Sequence, residues 1–165
     1  MSNDEWTTPK WLFDWLKTRV PFMLDAAATH ENHLCDGYYH EGTNGLQQDW
    51  TDLGWTFCNP PYSNVGEWVE KAASEYIAHG RRSLLLCPVR SDQDWWHQFV
   101  VEGVCDVEWY RGRISFGNSK GSAWMYNVNL VFGRPAKGFV PSIDAKGIRR
   151  IWEFYKTEEV VSALR

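Results

Sequence analysis

Residues 59–62 read Asn-Pro-Pro-Tyr, and they offer the clearest chemistry in the chain. The side-chain oxygen of Asn59 and the backbone carbonyl of Pro60 are two hydrogen-bond acceptors, and the consecutive prolines stiffen the turn that carries them. Two fixed acceptors around an NH2 group can hold its hydrogens and favour a tetrahedral nitrogen, whose lone pair is then free to attack. This would be preorganised electrostatic assistance. The alternative is a chance Pro-Pro turn beside an aromatic residue.

A second segment, residues 22–28, reads Phe-Met-Leu-Asp-Ala-Ala-Ala and places Asp25, Ala26 and Ala27 after a short apolar run. Small side chains let a backbone approach a ligand closely, although plain packing would leave the same pattern. Both segments follow predicted strands, and ligands of parallel α/β sheets bind beyond the carboxyl ends of the strands. We therefore expect the two segments to form one site.

Later residues have the polar, aromatic or basic character of nucleic-acid contacts: Arg90, Ser91, Asp92, Trp95, Arg111, Arg113 and Lys120. The first four follow an apolar strand and could line a pocket for a base. The last three lie in a glycine-containing segment between two strands, where basic side chains can contact phosphates. Helix packing for the tryptophan and a solvated hairpin for the basic segment are the alternatives.

The elements that position these residues alternate along the chain. Helices are predicted at residues 11–19, 65–79, 92–101 and 145–164, and strands at residues 22–25, 38–40, 55–58, 83–89, 104–110 and 127–132. Apolar runs in the central strands are typical of strands that are buried on both faces. We predict an α/β fold with a mostly parallel sheet, helices on both faces and an antiparallel C-terminal strand, because no helix separates the last two strands.

Length and composition indicate one domain, residues 1–165, in which 44% of residues are hydrophobic. The N-terminal residues are acidic and polar, and no apolar run approaches the ~20 residues of a membrane span, so we expect a cytoplasmic protein with no membrane partner. His30, His33 and Cys35 lack a fourth ligand at a usual spacing, so we expect no metal. The net charge is −4, but acidic residues dominate the first half and Lys and Arg the second, which permits a basic face.

These segments, with Thr8 and Pro9 before the first helix, resemble those of phage-type DNA N6-adenine methyltransferases, a Dam-like family. The resemblance covers about residues 4–133 and is most specific at residues 59–64 (Asn-Pro-Pro-Tyr-Ser-Asn) and 111–113 (Arg-Gly-Arg). It implies a Rossmann-like class I fold that uses S-adenosylmethionine to methylate the exocyclic amino group of an adenine flipped out of double-stranded DNA. The expected setting is a bacterial or phage-infected host cell.

The resemblance also implies residue roles. The catalytic residues are Asn59, Pro60, Pro61 and Tyr62, and the tyrosine is expected to stack on the base. The residues expected to bind the cofactor are Thr8, Pro9, Asp25, Ala26, Ala27, Glu41, Asp49, Trp50 and Asn59. Among these, Asp25 would bind the cofactor's amino group, Glu41 its ribose and Asp49 its adenine. Ser63 and Asn64 join the residues expected to contact DNA. Alanines stand where methyltransferases usually have glycines, which departs from the general pattern.

The motif indicates a reaction class better than a substrate. Cytosine N4, an amino group in RNA and the glutamine amide of release factors pose the same lone-pair problem. A non-catalytic nucleic-acid-binding module would use the 11 tryptophans and the basic segment equally well, since bases stack on aromatic rings. Saturable binding of S-adenosylmethionine separates the enzyme from the module. We predict no separate target-recognition domain and a short target site, and the oligomeric state stays open.

Overall fold

The computed structural model describes residues 6–117 and 125–133, and the backbone of residues 140–143 and 149–152. The helices are α1 (Lys10–Lys17), α2 (Val65–His79) and α3 (Trp96–Val101). The strands are β1 (Phe22–Asp25), β2 (Gly37–Tyr38), β3 (Trp55–Cys58), β4 (Arg82–Pro88), β5 (Asp106–Trp109), β6 (Asn127–Phe132), β7 (Val140–Ile143) and β8 (Arg149–Trp152). Within these ranges, no helix has the length and apolar character that a membrane span requires.

Apolar residues at helical spacing form α1, where Leu12, Phe13 and Leu16 are buried. Pro9 immediately precedes the helix, and its fixed φ suits a helix start. The longer helix α2 is capped by Gly80, whose φ of 69° lies in the left-handed region that glycine adopts without strain. The helices predicted at residues 11–19 and 65–79 are therefore confirmed, with small shifts at the ends of the first.

The main sheet has six strands in the order β2-β1-β3-β4-β6-β5. The pairs β2–β1, β1–β3 and β3–β4 are parallel, whereas β6 lies between β4 and β5 and runs antiparallel to both. This confirms the predicted mostly parallel sheet. The predicted antiparallel strand, late in the sequence, is β6. The parallel pairing also brings the carboxyl ends of β1, β3 and β4 to one edge of the sheet.

The helices α1 and α2 cover opposite faces of this sheet. The register aligns Phe57 of β3 with Val131 of β6 across β4, so their side chains share a face, and Phe13 of α1 packs against Phe57 at 5.1 Å between ring centroids. Phe132 follows Val131 and points to the other face, where Tyr76 of α2 packs at 6.5 Å. Helices on both faces are thus confirmed, and every residue of β3 and β6 is buried between them.

Three predicted elements differ from the structure. The helix expected at residues 92–101 includes a π-helical turn, in which the N–H of Glu102 donates to the carbonyl of His97, five residues back. The strand expected at residues 38–40 is the shorter strand β2, which covers Gly37–Tyr38. The helix expected at residues 145–164 is wrong over β8, which pairs antiparallel with β7. Ile151 and Trp152 favour strands once a pairing partner exists. The rest of that segment lies outside the described residues.

Candidate functional site

A cavity of about 980 Å³ opens at the carboxyl ends of β1 and β3. The two strands are neighbours, and the backbone N–H of Ala26 donates to the carbonyl of Phe57 at 2.9 Å. This contact joins the first residue after β1 to β3, and residues of the two segments that were expected to form one site line the same cavity. The predicted site residues that line the cavity are Thr8, Asp25, Ala26, Ala27, Glu41, Asn59, Pro61 and Asn64.

The amide of Asn59 is held in one orientation by residues that precede α1. Its Nδ2 donates to the backbone carbonyl of Trp6 at 2.5 Å and to Oγ1 of Thr8 at 3.0 Å. A carbonyl can only accept, so the Trp6 contact decides which end of the amide is nitrogen. The other end, Oδ1, is buried and has no hydrogen-bond partner among the described residues. An unsatisfied buried acceptor costs about 1–3 kcal/mol, a cost that a donor on a ligand in the cavity would remove.

Residues 6–8 form a segment that we call the N-terminal strap. The strap is held on one side by Asn59 and on the other by Gly117, whose N–H donates to the carbonyl of Thr7 at 3.1 Å. Trp6 packs against Phe116 at 5.4 Å between ring centroids. Because Trp6, Thr7 and Thr8 all line the cavity, the strap forms one of its walls.

Two residues of the Asn-Pro-Pro-Tyr turn lie behind the cavity wall. Pro60 is buried, and Tyr62 is 8% exposed, with its ring near Trp6 and Phe116. The hydroxyl of Tyr62 accepts a hydrogen bond from Nδ2 of Asn127 at 2.5 Å, and burial raises the pKa of this tyrosine. Neither residue is among those that line the cavity, and the Tyr62 ring belongs to the hydrophobic core, so its stacking on a base stays a prediction.

Asp25 is a buried carboxylate on the cavity wall, at 3% exposure. Burial raises its pKa to about 6, and backbone hydrogen bonds from Leu34 and Ala27, together with the nearby His33, offset only part of that effect. The Leu34 N–H donates to Oδ2 at 3.1 Å. A carboxylate that has lost water without gaining a strong cationic partner favours a positively charged ligand.

The close backbone approach in this site involves a glycine that sequence reasoning did not select. A Cβ on Gly45 would lie 2.2 Å from the carbonyl oxygen of Ala26 and 3.2 Å from the ring of Trp68. Residues 26–28 can be alanines because the glycine in the tight contact with the Ala26 carbonyl is Gly45, on the facing segment of the same chain. The local sequence gives little signal for Gly45, which lies ten residues before the strand predicted at residues 55–58.

Other predicted cofactor residues lie outside the cavity lining. The carboxylate of Asp49 is exposed and accepts from Arg81 at 3.2 Å. Trp50 is buried, and its indole N–H donates to the carbonyl of Gly45 at 3.0 Å, which makes it a core residue that supports the cavity from behind. Pro9 lines a second pocket, which shares Thr7 and Thr8 of the strap with the cavity.

The predicted DNA contacts are also spread out. Arg90 pairs with Asp92 at 3.2 Å, and Trp95 packs on α2, where a Cβ on Gly66 would meet its ring at 2.8 Å. Helix packing therefore accounts for Trp95. Of the predicted DNA contacts that the structure describes, Asn64 lines the cavity. The others do not: Ser63, Arg90, Ser91, Asp92, Trp95, Arg111 and Arg113. Arg111 and Arg113 are exposed, and Lys120 lies outside the described residues.

Sequence reasoning missed two tryptophans of the cavity wall. The indole N–H groups of Trp6 and Trp68 are buried and have no partner among the described residues, and the same is true of Oδ1 of Asn64. Together with Oδ1 of Asn59, they give the cavity two unpaired donors and two unpaired acceptors. Such a wall suits a ligand with several ring nitrogens, amino groups or carboxylate oxygens.

A family model described as DNA N-6-adenine-methyltransferase (Dam) matches residues 1–132. The chain is 34% identical over 108 residues to a DNA N-6-adenine-methyltransferase of Escherichia phage T1, a match that covers 65% of this chain and 44% of that protein. It is 29% identical over 120 residues to a DNA N-6-adenine-methyltransferase of Haemophilus phage HP1 (strain HP1c1), which covers 72% of this chain and 69% of the relative. Since the family model spans most of the sequence, the chain belongs to the DNA N-6-adenine-methyltransferase (Dam) family.

Proposed function

We propose that this protein transfers a methyl group from S-adenosylmethionine to the exocyclic amino group of adenine in double-stranded DNA. The observation that carries the proposal is the unpaired Oδ1 of Asn59 on the wall of the cavity. The fixed amide supplies an acceptor where the family's reaction needs one. The second would be the Pro60 carbonyl on the same rigid turn, although Pro60 is not among the residues that line the cavity. Both hold the hydrogens of the amino group, so that its lone pair develops toward a tetrahedral nitrogen.

The cavity fits the methyl donor in size and in polarity. A volume of about 980 Å³ lies at the upper end of ordinary ligand sites. Asp25 would hold the amino-acid ammonium group, Ala26 and Ala27 would pack under the donor, and Glu41 would accept from its ribose hydroxyls. When bound, the donor supplies a methyl group that is made electrophilic by a sulfonium. We also propose the Rossmann-like class I arrangement, since β6 runs in reverse between β4 and β5.

The target adenine has to leave the duplex to reach this cavity, because a base that is stacked and paired inside the duplex cannot enter it. Arg111 and Arg113 are exposed in the segment that leads to Gly117 and the strap. We propose that they contact phosphates beside the flipped nucleotide, and Lys120 joins them by its place in the sequence. In this arrangement the segment that contacts the DNA backbone is joined to the strap through the hydrogen bond between Gly117 and Thr7.

Incubation of duplex DNA with methyl-labelled S-adenosylmethionine tests the activity. After digestion to nucleosides, the label should appear in N6-methyladenine. Label in N4-methylcytosine, label transferred only to RNA, or DNA binding without any saturable affinity for the donor would each contradict the proposal. Mapping the methylated positions in DNA from cells that express the protein gives the target sequence in the same experiment series.

A further inference from the structure

Asn64 and Trp68 form a pair of unsatisfied polar groups on one side of the cavity. Asn64 is the N-cap residue of α2 and Trp68 lies one turn into the helix, a spacing that puts both side chains on the same helix face. Both residues line the cavity. Trp68 is 7% exposed, and its indole N–H and Oδ1 of Asn64 are buried without a partner among the described residues.

The orientation of the Asn64 amide indicates that its oxygen serves something other than the helix. An N-cap asparagine ordinarily accepts from a backbone N–H of the first turn. Here the side chain makes no such capping bond, and the N–H of Glu67 donates to the Asn64 backbone carbonyl instead. Nδ2 of Asn64 donates to the Glu67 carboxylate at 3.4 Å, and a carboxylate can only accept. The amide is therefore fixed with its oxygen left over.

A donor beside an acceptor matches the edge of an adenine ring. Adenine presents an amino donor next to a ring-nitrogen acceptor, and an amide oxygen with a neighbouring N–H can bond both. We propose that Oδ1 of Asn64 accepts from an adenine amino group while the indole N–H of Trp68 donates to the adjacent ring nitrogen. Neither contact follows from the catalytic turn itself.

The proposed reaction involves two adenines, one in the target nucleotide and one in the methyl donor. We assign the pair of Asn64 and Trp68 to the adenine of the methyl donor. Both amino hydrogens of the target adenine are committed to Asn59 and to the Pro60 carbonyl, so that amino group has none left for Asn64. This step rests on the proposed function. It also fills a role for which Asp49 was expected, since that carboxylate lies outside the cavity lining and pairs with Arg81.

Calorimetric binding to the whole protein without DNA tests the assignment. The probes are S-adenosylhomocysteine and its inosine counterpart, in which a carbonyl replaces the amino group and the neighbouring ring nitrogen carries a hydrogen. Wild-type protein should bind the adenine compound at least tenfold more tightly, because the inosine edge presents the opposite hydrogen-bond pattern. Trp68→Phe and Asn64→Ala should each weaken binding of the adenine compound about five- to tenfold, the usual effect of one buried hydrogen bond.

The decisive result is the loss of discrimination in these variants, which a purely structural role would not produce. Trp55→Phe is the matched control, since Trp55 is also buried but lies at the start of β3 and away from the cavity. Unchanged affinity and discrimination in both variants would overturn the proposal. So would variants that bind the donor normally but lose affinity for DNA with an extrahelical adenine, because the pair would then read the substrate base. Wild-type protein that binds neither compound would contradict the proposed function itself.

Discussion

At the scale of single residues, the site depends on polar groups that are buried without full compensation. Asp25 and Asn59 both lie on the cavity wall, and each lacks the partner that its chemistry favours. A missing partner lowers the stability of the free protein, and a complementary ligand supplies that partner when it binds. At Asp25, removal of the charge should therefore stabilise the free protein and weaken the binding of a cationic ligand.

Asp25 gives the affinity for the methyl donor a dependence on pH. Its pKa is raised to about 6 in the free protein, and a bound ammonium group would lower it, so binding releases a proton around that pH. Affinity should rise as the pH increases from 5 to 7 and then level off, and Asp25→Asn should bind weakly with little such dependence. Titration calorimetry at several pH values measures this, with His33→Gln to separate the nearby histidine. A wild-type affinity that falls over this range would contradict the assignment.

The same carboxylate affects folding in the opposite sense. Because its folded-state pKa is raised above the ordinary value of 3.8, it stabilises the fold most at low pH, and this contribution is lost as the pH rises through about 6. The full effect at pH 7 is about 2–3 kcal/mol, since each tenfold change in proton affinity corresponds to roughly 1.4 kcal/mol. Urea unfolding of Asp25→Asn should therefore show a variant that is more stable than wild type at pH 7 in the absence of donor.

At the scale of elements, the N-terminal strap is the part that holds the amide of Asn59 in one orientation. Residues 6–8 provide both acceptors for the Asn59 amide, and Gly117 connects them to the segment proposed to grip DNA. The strap has no regular secondary structure, so its place depends on these contacts and on the packing of Trp6. Thr8 is in this view a positioning residue rather than only a cofactor contact.

Thr8→Val removes the hydroxyl that Asn59 contacts while it keeps the volume of the side chain. We expect kcat to fall about tenfold, the effect of one misplaced hydrogen bond, with little change in the KM for the donor. Thr8→Ser keeps the hydroxyl and should restore most of the rate. Steady-state kinetics of the two variants decide the point. Equal kcat in valine and serine variants, or an effect confined to KM, would show that Thr8 acts otherwise.

The sequence predicted the helices and strands that carry the site better than the packing contacts between them. Asp25 ends one apolar strand and Asn59 follows another, and the rule that such residues share a sheet edge agrees with their places on the wall of one cavity. Tyr62 and Trp50 were expected at the ligand because aromatic rings serve both cores and ligands, and both are packed in the core. Trp68 and the contact of Gly45 with Ala26 depend on long-range packing, which no local pattern reports.

At the scale of the whole molecule, a small α/β unit assembles the site from distant parts of the chain. The strap, the segment after β1, residues 39–46 and the start of α2 all border one cavity. The reversed strand β6 contributes from behind, through the contact of Asn127 with Tyr62. The described residues place these groups at the carboxyl ends of the parallel strands of the main sheet.

The effect of Asn59→Ala on methyl transfer and on binding, measured on the same preparation, tests the catalytic role of the turn most directly. We predict that kcat falls at least 100-fold, as for the loss of one preorganised contact in a transition state, while the affinities for S-adenosylhomocysteine and for duplex DNA stay within about threefold of wild type. Thermal unfolding checks that the variant is folded. Near-normal turnover by folded Asn59→Ala protein would contradict the role assigned to the Asn59 oxygen.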